Sequence, residues 1–379
     1  MNFESSREAA LKKLGDFINS NLKDYNFKRN FDLGTKNKSN VSCLSPYISH
    51  RLITEYEVAK TVLSKFSYQN VDKFIQEIFW RVYWKGWLEL RPQVWSDFIE
   101  DLKSIKEDDK YLKAVNGETE IQCFNDWVKE LRENNYLHNH TRMWFASIWI
   151  FTLKLPWQKG AEFFMKHLYD GDAASNTLSW RWVAGLQTKG KHYVAQAWNI
   201  SKFTNNKYNN VKLNENALPL LDKREYKLKP LNLIMYNDET NESLLVFENE
   251  LSLENQKLKN YKNIYLALLS NEARKLKLEQ KVLDFKSNVI NDQKKRLKQV
   301  QIVDENKLQS LMEKIKSFDV LHPSIGENHS YLNNMRKKYH LKLNLILRDE
   351  DKFSWQFSNK GYFNFKNNIP KILSKFNLQ

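Results

Sequence analysis

The middle of the chain carries an unusual concentration of acidic, amide and indole side chains. It reads Asp170-Gly171-Asp172-Ala173-Ala174-Ser175-Asn176-Thr177-Leu178-Ser179-Trp180-Arg181-Trp182. Shortly before it runs a basic and amide-rich segment, Tyr136-Leu137-His138-Asn139-His140-Thr141-Arg142-Met143. A plain core helix needs none of these polar groups, because a buried carboxylate costs several kcal/mol unless it is paired or hydrogen-bonded. We therefore expect Arg142 to pair with the acidic side chains of the second segment.

Composition restricts the class of protein. The 379 residues carry a net charge of +15, which favours a polyanionic partner, nucleic acid first, although a Lys- and Asn-rich coding bias would give the same charge. No 18-residue uncharged apolar run and no signal peptide are present, so we predict a cytoplasmic, monomeric protein that does not enter a membrane. The two cysteines, Cys43 and Cys123, are too few for an iron–sulfur cluster or an all-cysteine zinc site, and we predict no metal site.

The first 200 residues have the hydrophobic spacing of helices. Apolar residues recur at intervals of three and four in the segments 3–24, 70–90, 122–135 and 141–154, and another helix begins at Gly160. Eleven of the twelve tryptophans lie before residue 200. We therefore predict an all-helical, aromatic-rich first part.

The second part of the chain has a different pattern. Residues 201–229 are rich in Asn and Lys, and short apolar runs follow at 231–236, 244–247, 264–269 and 343–347. Helical patterns at 278–289 and 308–315 lie between the last two runs. Strands that alternate with helices predict a parallel α/β sheet. The absence of a Gly-rich phosphate loop leaves a classical dinucleotide site unsupported, and we interpret the Lys-rich run at 294–298 as a solvated helix face rather than a nucleic-acid contact.

Four motifs in the helical part occur in an order that resembles the flavin-binding domain of the photolyase and cryptochrome family. They are Tyr25 and Arg29 with the segment Val41-Ser42-Cys43-Leu44-Ser45-Pro46-Tyr47, then Glu77-Ile78-Phe79-Trp80-Arg81, then residues 136–143, then residues 170–185. The family has threonine at the position of Val41 and tryptophan at that of Tyr136. The resemblance implies a light-driven protein that binds FAD.

The resemblance also implies roles for individual residues. Asn176 would face the flavin N5, Asp172 would lie near the ring and ribityl chain, and Asp170 would pair with Arg142. Trp180 and Trp157 match two members of the family's electron-transfer chain, whereas the outermost tryptophan is replaced by Ala114, with Tyr111 as a stand-in. The implied catalytic residues are Glu77, Asn139, Trp157 and Trp180. The implied cofactor-binding residues are Tyr25, Ser42, Leu44, Ser45, Glu77, Arg81, Asn139, Arg142, Asp170, Asp172 and Asn176.

The substrate implied by the resemblance is UV-damaged DNA. The residues that match the pocket for a flipped pyrimidine dimer are Glu77, Trp80, Asn139, Met143 and Trp182. Family members that repair the pyrimidine–pyrimidone photoproduct have a histidine at the position of Asn139. We therefore predict a photolyase that splits cyclobutane pyrimidine dimers. The alternatives are a cryptochrome-type blue-light photoreceptor without repair activity and a flavin-binding protein that has lost catalysis.

The predicted fold class is an all-helical photolyase-type FAD-binding domain at 1–205, a linker at 206–229 and a Rossmann-like parallel α/β domain at 230–379. The run Leu244-Leu245-Val246-Phe247-Glu248-Asn249-Glu250-Leu251-Ser252-Leu253-Glu254-Asn255 resembles the opening of the family's antenna domain, which in the family precedes the helical part. Either the domain order is permuted or the α/β part is an unrelated appendage. The sequence does not specify an antenna chromophore.

Overall fold

The computed structural model of the chain describes residues 3–231, 241–254, 258 and 261–379. It divides into two compact units. Unit 1 comprises Met1–Phe3, Phe17–Cys43 and Gln93–Tyr226. Unit 2 comprises Glu4–Asp16, Leu44–Pro92 and Lys227–Gln379. Each unit therefore draws on separate segments of the sequence.

Helices dominate both units. In chain order they are α1 (Arg7–Ser20), α2 (Tyr25–Lys28), α3 (Ser45–Ser49), α4 (Glu55–Leu63), α5 (Tyr68–Glu89), α6 (Gln93–Ser104), α7 (Asp109–Asn116), α8 (Gln122–Asn134), α9 (Asn139–Ser147), α10 (Trp157–His167), α11 (Ala173–Ala184), α12 (Ala197–Phe203), α13 (Gln280–Arg296), α14 (Glu305–Lys314), α15 (Glu327–Tyr339), α16 (Asp349–Trp355), α17 (Tyr362–Asn367) and α18 (Ile369–Lys375). The predicted helical character of the first part is confirmed. Of the helices in the described ranges, none is long and apolar enough to cross a bilayer.

Local signals explain where the helices of unit 1 begin and end. Helix α11 begins after Asp172, whose carboxylate accepts a hydrogen bond from the backbone N–H of Ser175 at 2.7 Å. It ends at Gly185, with a φ of 85°. Helix α8 ends in the same left-handed conformation at Asn135, with a φ of 53°. Glycine and asparagine tolerate this conformation best, so these positions terminate the helices.

The core of unit 1 is built from aromatic side chains on α9, on the π-helical turn Ile148–Thr152 that follows it, and on α10 and α11. Trp144, Trp149 and Trp180 are almost completely buried. Helices α10 and α11 approach closely at Gly160, where an added Cβ would lie 2.2 Å from the Cη2 atom of Trp180. A larger residue at this position would collide with the indole, so the glycine sets the separation of the two helices.

Unit 2 contains a five-stranded parallel sheet. Its strands are β1 (Ser243–Phe247), β2 (Asn263–Ala267), β3 (Val300–Val303), β4 (Ser317–Leu321) and β5 (Lys342–Ile346), in the order β3-β2-β1-β4-β5. The strand order reverses between β1 and β4, as in Rossmann-like sheets. Leu245, Phe247 and Phe318 contribute to the core on this sheet.

The predicted parallel α/β class is therefore confirmed. The runs at 244–247, 264–269 and 343–347 correspond to β1, β2 and β5. The sequence analysis missed β3 and β4. Strand β3 has only four residues, two of them without full burial, and β4 carries the polar Ser317 and Asp319, so neither shows a plain apolar run. Most of the predicted strand at 231–236 lies outside the described residues.

Buried ion pairs in unit 2 connect the segments that follow α3 and β1 with the start of α16. Arg51 is 1% exposed and lies 2.6 Å from a carboxylate oxygen of Asp351 and 3.3 Å from one of Glu250. Arg348 donates to the same Glu250 at 2.9 Å. Burial alone would raise the pKa of the Asp351 carboxyl, but the charges of Arg51, Lys85 and Arg348 together outweigh burial and lower this pKa. Because each charge has a close counter-charge, the cost of desolvation is offset.

Candidate functional site

Three of the predicted site residues share one face of α9. Asn139 is exposed, and Arg142 and Met143 are half-buried, whereas Thr141 and Trp144 are completely buried. Residues three and four apart on a helix are neighbours on its surface. The face of α9 that carries Asn139, Arg142 and Met143 is therefore accessible and combines an amide, a guanidinium and a thioether.

The expected ion pair between the two polar segments is present. An Nη2–H of Arg142 donates to Oδ2 of Asp170 at 2.9 Å, and Nε–H donates to the backbone carbonyl of Leu137 at the same distance. The guanidinium carbon lies 5.3 Å from the centre of the Tyr136 ring. Asp170 is 3% exposed. The positive charge of Arg142 offsets the free-energy cost of burying its carboxylate.

Asp172 lies just before α11, and Asn176 lies on the first turn of this helix. One oxygen of Asp172 caps the helix. The side-chain amide of Asn176 donates to the carbonyl of Ala161 at 2.8 Å, and this side chain is 8% exposed. This hydrogen bond fixes the orientation of the Asn176 amide, so that Oδ1 remains as the atom that can accept a hydrogen bond.

The remaining predicted cofactor-binding residues of unit 1 lie in the N-terminal part of the chain. Tyr25 is half-buried at the start of α2 and makes an edge-to-face contact with Phe17 at 5.9 Å between ring centres. Ser42 is half-buried in the loop that precedes Cys43. Both are partly accessible in unit 1.

A buried polar group that the sequence analysis missed supports α9. Asp32 accepts hydrogen bonds from Lys38 at 2.6 Å and from the Thr141 hydroxyl at 2.5 Å. Lys38 also lies 3.2 Å from Glu130. Burial raises the pKa of the Asp32 carboxyl, but Lys38, Thr141 and His138 together outweigh burial, and the pKa falls below its ordinary value. Thr141 lies within the segment 136–143. Its hydrogen-bond partner Asp32 is 109 residues away, so the local sequence does not indicate this contact.

The two histidines that flank Asn139 are engaged in local structure. His138 is completely buried, and its Nδ1 accepts a hydrogen bond from the backbone N–H of His140 at 3.2 Å. Nδ1 of His140 lies 2.9 Å from the carbonyl of Asn30, to which it donates. Burial lowers the pKa of His138 to about 4 and also lowers the pKa of His140. Both rings are therefore neutral at pH 7 and are poor proton donors.

The predicted electron-transfer residues are buried on neighbouring helices. Trp157 begins α10 and stacks on Phe98 at 5.5 Å between ring centres, and Arg181 lies 5.8 Å from its ring. Trp180 lies on α11 in edge contact with Phe164 at 5.1 Å and Trp149 at 6.2 Å.

Tyr111 lies beside the predicted electron-transfer residues, and Trp182 belongs to the predicted substrate pocket. Tyr111, the stand-in for the missing outer tryptophan, lies edge-on to Trp149 at 6.0 Å, and burial raises its pKa to about 12. Trp182 is half-buried and stacks on Tyr193 at 6.0 Å.

Unit 2 contains the other predicted site residues, most of them on α5. Glu77, Trp80 and Arg81 are half-buried on this helix. Ser45 begins α3 and is half-buried, whereas Leu44 is 1% exposed and is the residue that precedes the helix. The side chain of Leu44 makes a core contact rather than a polar one.

One face of the Trp80 ring is covered by a side chain that the sequence analysis did not predict. The Tyr362 ring of α17 lies parallel to the indole, with 3.3 Å between ring centres and 11° between the planes. The Tyr362 hydroxyl donates to the carbonyl of Gln76 at 2.7 Å. Burial raises the pKa of Tyr362, and the neighbouring Glu77 carboxylate raises it further. In unit 2 the predicted substrate wall at Trp80 is therefore a two-ring stack.

The carboxyl end of the sheet in unit 2 is filled by ion pairs of the chain itself. After β1, Glu248 accepts hydrogen bonds from Arg274 at 2.6 Å and Asn328 at 2.9 Å. After β4, His322 lies 3.0 Å from Glu89. In Rossmann-like sheets, ligands commonly bind in the crevice at the carboxyl ends of the strands. In this chain, buried side chains that pair with each other lie at that end of the sheet.

The donors and acceptors of unit 1 fit a flavin nucleotide. The Ser42 hydroxyl can donate to a phosphate, Asp172 can accept from ribityl hydroxyls, and the fixed Asn176 amide can contact a ring nitrogen or its hydrogen. The ordered hydrogen bonds of Asp172 and Asn176 hold these two side chains before a ligand arrives. Such preorganisation lowers the cost of binding.

Comparison with known proteins agrees with this chemistry. Residues 74–225 match the family model of the FAD binding domain of DNA photolyase. The chain is 33% identical over 184 residues to a deoxyribodipyrimidine photo-lyase of Agrobacterium fabrum, a match that covers 46% of this chain and 37% of that protein. It is 25% identical over 195 residues to the photo-lyase of Vibrio cholerae, which covers 49% and 41%. Thus the matches span well under half of these relatives.

A solved structure shows the same kind of partial likeness. The crystal structure of a bacterial class III photolyase from Agrobacterium tumefaciens is 27% identical, with a TM-score of 0.45, and the match covers 53% of this chain and 43% of that one.

Proposed function

We propose that the chain is a light-driven DNA photolyase with FAD as its cofactor, because residues 74–225 match the FAD binding domain of DNA photolyase. Its substrate is the cyclobutane pyrimidine dimer in UV-damaged DNA. The net charge of +15 supports a polyanionic partner. The protein acts as a monomer in the cytoplasm.

The observation that carries the choice of lesion is the α9 face with Asn139 and Met143. Asn139 is exposed and is an amide, so it can hydrogen-bond a pyrimidine edge but cannot donate a proton as an acid. The neighbouring histidines are neutral at pH 7, because burial lowers the pKa of each. Repair of the pyrimidine–pyrimidone photoproduct in this family relies on a histidine acid at the position of Asn139. The side chains of this face suit the cyclobutane dimer.

The protein groups have the following roles. Reduced FAD, when bound, would supply the light-driven electron-transfer chemistry that splits the dimer. Arg142, Asp170, Asp172 and Asn176 hold and orient the cofactor. Asn139 and Glu77 each hydrogen-bond a pyrimidine, and Met143, Trp80 and Trp182 provide apolar contacts that replace the stacking lost when the lesion leaves the duplex.

Trp180 and Trp157 serve a second process, which restores the active redox state of the cofactor. Their side chains are 2% and 4% exposed and lie among other aromatic rings. This environment excludes water, and it keeps the indoles in fixed positions. We assign Trp180 as the proximal donor and Trp157 as the next one.

Light-dependent repair tests the proposal. The reduced protein is mixed with an oligonucleotide that contains one thymine dimer, and the products are separated after blue light or darkness. We expect repair in the light alone. The variant Glu77→Ala should lose about 1–3 kcal/mol of binding or transition-state stabilisation, whereas Glu350→Ala, which removes another half-buried carboxylate of unit 2, should repair at the wild-type rate. Equal repair by both variants would remove Glu77 from the substrate site.

The second candidate function is a cryptochrome-type blue-light photoreceptor. The specific observation in its favour is the Tyr362 ring on Trp80, because a covered indole face cannot stack a base. A folded, FAD-loaded protein that changes its absorption in light but repairs no dimer would favour this function.

A further inference from the structure

The last segment of the chain, residues 352–379, has a composition unlike the rest, and we call it the aromatic arm. It contains five lysines, at positions 352, 360, 366, 371 and 375, and seven aromatic residues, but no Asp or Glu. The aromatic residues are Phe353, Trp355, Phe357, Tyr362, Phe363, Phe365 and Phe376. Alternating cations and aromatic rings are the combination that binds single-stranded nucleic acid without sequence preference.

The aromatic arm is fixed along α5, the helix of unit 2 that carries Glu77 and Trp80. The Tyr83 hydroxyl donates to the carbonyl of Lys360 at 3.1 Å, and Arg91 donates to the carbonyl of Asn359 at 2.8 Å. Gly86 permits the close approach, since an added Cβ would lie 2.7 Å from Cδ1 of Trp355. The arm therefore has a defined position beside the predicted lesion contacts of α5.

Helix α17 of the arm has two different faces. Tyr362 and Phe365 are three residues apart and stack at 6.2 Å, and Phe365 is completely buried against Phe79. Phe363 and Lys366 are also three residues apart, on another side of the helix. Phe363 is 79% exposed, although burial of its ring would stabilise the fold as much as that of any other phenylalanine.

The lysines of the arm are also of two kinds. Lys371 lies 5.3 Å from the Phe357 ring and Lys375 lies 6.0 Å from the Phe353 ring, so these two cover aromatic surface of the arm. Lys360 and Lys366 instead stand three positions before and after Phe363. An exposed ring with a lysine three positions before it and another three positions after it suits a strand in which a base stacks and the adjacent phosphates are neutralised.

We propose that the aromatic arm is a DNA-contacting element, in which Phe363 stacks an unpaired base and Lys360 and Lys366 contact the neighbouring phosphates. The inference rests on the proposed function for the nature of the partner. It adds a contact outside residues 74–225, the part that matches the FAD binding domain. The bases opposite an extruded lesion lose their pairing partners and therefore have the required chemistry.

The test measures binding of a fluorescent, lesion-free oligothymidine strand by anisotropy at several salt concentrations. Phe363→Ala should weaken binding about 5- to 150-fold with an unchanged salt dependence. Phe363→Tyr should keep the affinity. The double variant Lys360→Gln/Lys366→Gln should reduce the slope of log K against log[salt] by about 1.4, because each phosphate contact to a single strand contributes about 0.7.

Two controls match the variants in chemistry. Phe27 is 78% exposed in unit 1, and Phe27→Ala should bind as the wild type. Lys294→Gln/Lys295→Gln removes two exposed lysines of α13 and should leave the salt slope nearly unchanged. Equal losses in a variant and its control would overturn the proposal, as would wild-type binding by Phe363→Ala.

The outcomes also separate this inference from the proposed function. A wild-type protein that repairs dimers, with a Phe363→Ala variant that binds normally, contradicts the role of the arm alone. A protein that binds through Phe363 but repairs nothing contradicts the photolyase function alone. Binding of a second copy or of an acidic protein, with no binding of the oligonucleotide, would contradict the nucleic-acid partner.

Discussion

Helix α9 of unit 1 and helix α5 of unit 2 both carry predicted site residues, but they hold them by different means. On α9, Arg142 is fixed by the carboxylate of Asp170, 28 residues along the chain. On α5, Trp80 is fixed by the ring of Tyr362, which lies 282 positions later. The first arrangement depends on charge pairing and the second on aromatic stacking. Substitutions on the two helices should therefore fail in different ways.

The largest effect should come from the buried indole of α11. Trp180→Phe keeps an aromatic ring in the core but removes the proposed proximal electron donor, so light-driven reduction of the oxidised flavin should lose most of its rate while FAD remains bound. Transient absorption or steady illumination with a reductant measures this rate. The control variant Trp127→Phe alters another indole that is 2% exposed. Its flavin should be reduced at the wild-type rate. A wild-type rate in Trp180→Phe would assign the donor to a different tryptophan.

The charge pair of α9 should give the next effect. Arg142→Ala leaves the carboxylate of Asp170 buried without its counter-charge, which costs about 3–5 kcal/mol when a buried pair is broken. The variant should also retain less FAD. Urea unfolding and flavin release by heat measure the two losses. The double variant Arg142→Ala/Asp170→Ala should recover part of the stability, and a double variant that is less stable than the sum of the single ones would show that the pair is not the cause.

The aromatic stack of α5 should give a smaller effect than the charge pair. Tyr362→Phe keeps the ring but loses the hydrogen bond to Gln76, which should cost about 0.5–1.5 kcal/mol. Tyr362→Ala also loses the ring pair, which is worth about 0.5–1.5 kcal/mol more in addition to buried area. Urea unfolding separates the two contributions. If both variants are equally stable, the stack does not hold Trp80.

The smallest effect should be a pH dependence at the His322–Glu89 pair of unit 2. Burial lowers the pKa of His322, but the carboxylates of Glu89, Glu250 and Asp351 together outweigh burial and raise this pKa above the ordinary 6.5. Burial raises the pKa of Glu89, but His322, His329 and the backbone N–H of Ile325 together outweigh burial and lower this pKa below the ordinary 4.5. The contribution of the histidine is lost as the pH rises through its raised pKa, and that of the glutamate is lost as the pH falls through its lowered pKa.

The pair should therefore contribute most between about pH 4.5 and pH 6.5. The difference in unfolding free energy between the wild type and His322→Gln, measured by urea at several pH values, should be largest in this window and decline above it. A difference that grows from pH 6.5 to pH 9 would contradict the assignment.

The contrast between α9 and α5 also explains what could be predicted from the sequence. The pair of Arg142 and Asp170 could be predicted because buried carboxylates need a cation and one stands in the neighbouring segment. The parallel sheet could be predicted from three apolar runs, whereas β4 was missed because Ser317 and Asp319 interrupt its pattern. Asp319 is completely buried in the sheet, where Asn241 and Tyr261 donate hydrogen bonds to its two oxygens.

The long-range partners could not be predicted. Nothing near Trp80 in the sequence indicates Tyr362, and nothing near Thr141 indicates Asp32, because a single sequence contains no information on which distant residues meet. The predicted domain limits at 205 and 230 remain predictions. By contact, residues 44–92 group with the later part of the chain, a grouping that depends on such long-range partners.

The most direct test of the photolyase function is product analysis on two defined oligonucleotides, one with a cyclobutane dimer and one with a pyrimidine–pyrimidone photoproduct, each illuminated with the reduced protein. The amide at Asn139 and the neutral histidines beside it predict efficient repair of the cyclobutane dimer and none of the other lesion. Repair of the pyrimidine–pyrimidone photoproduct without repair of the dimer would contradict the account.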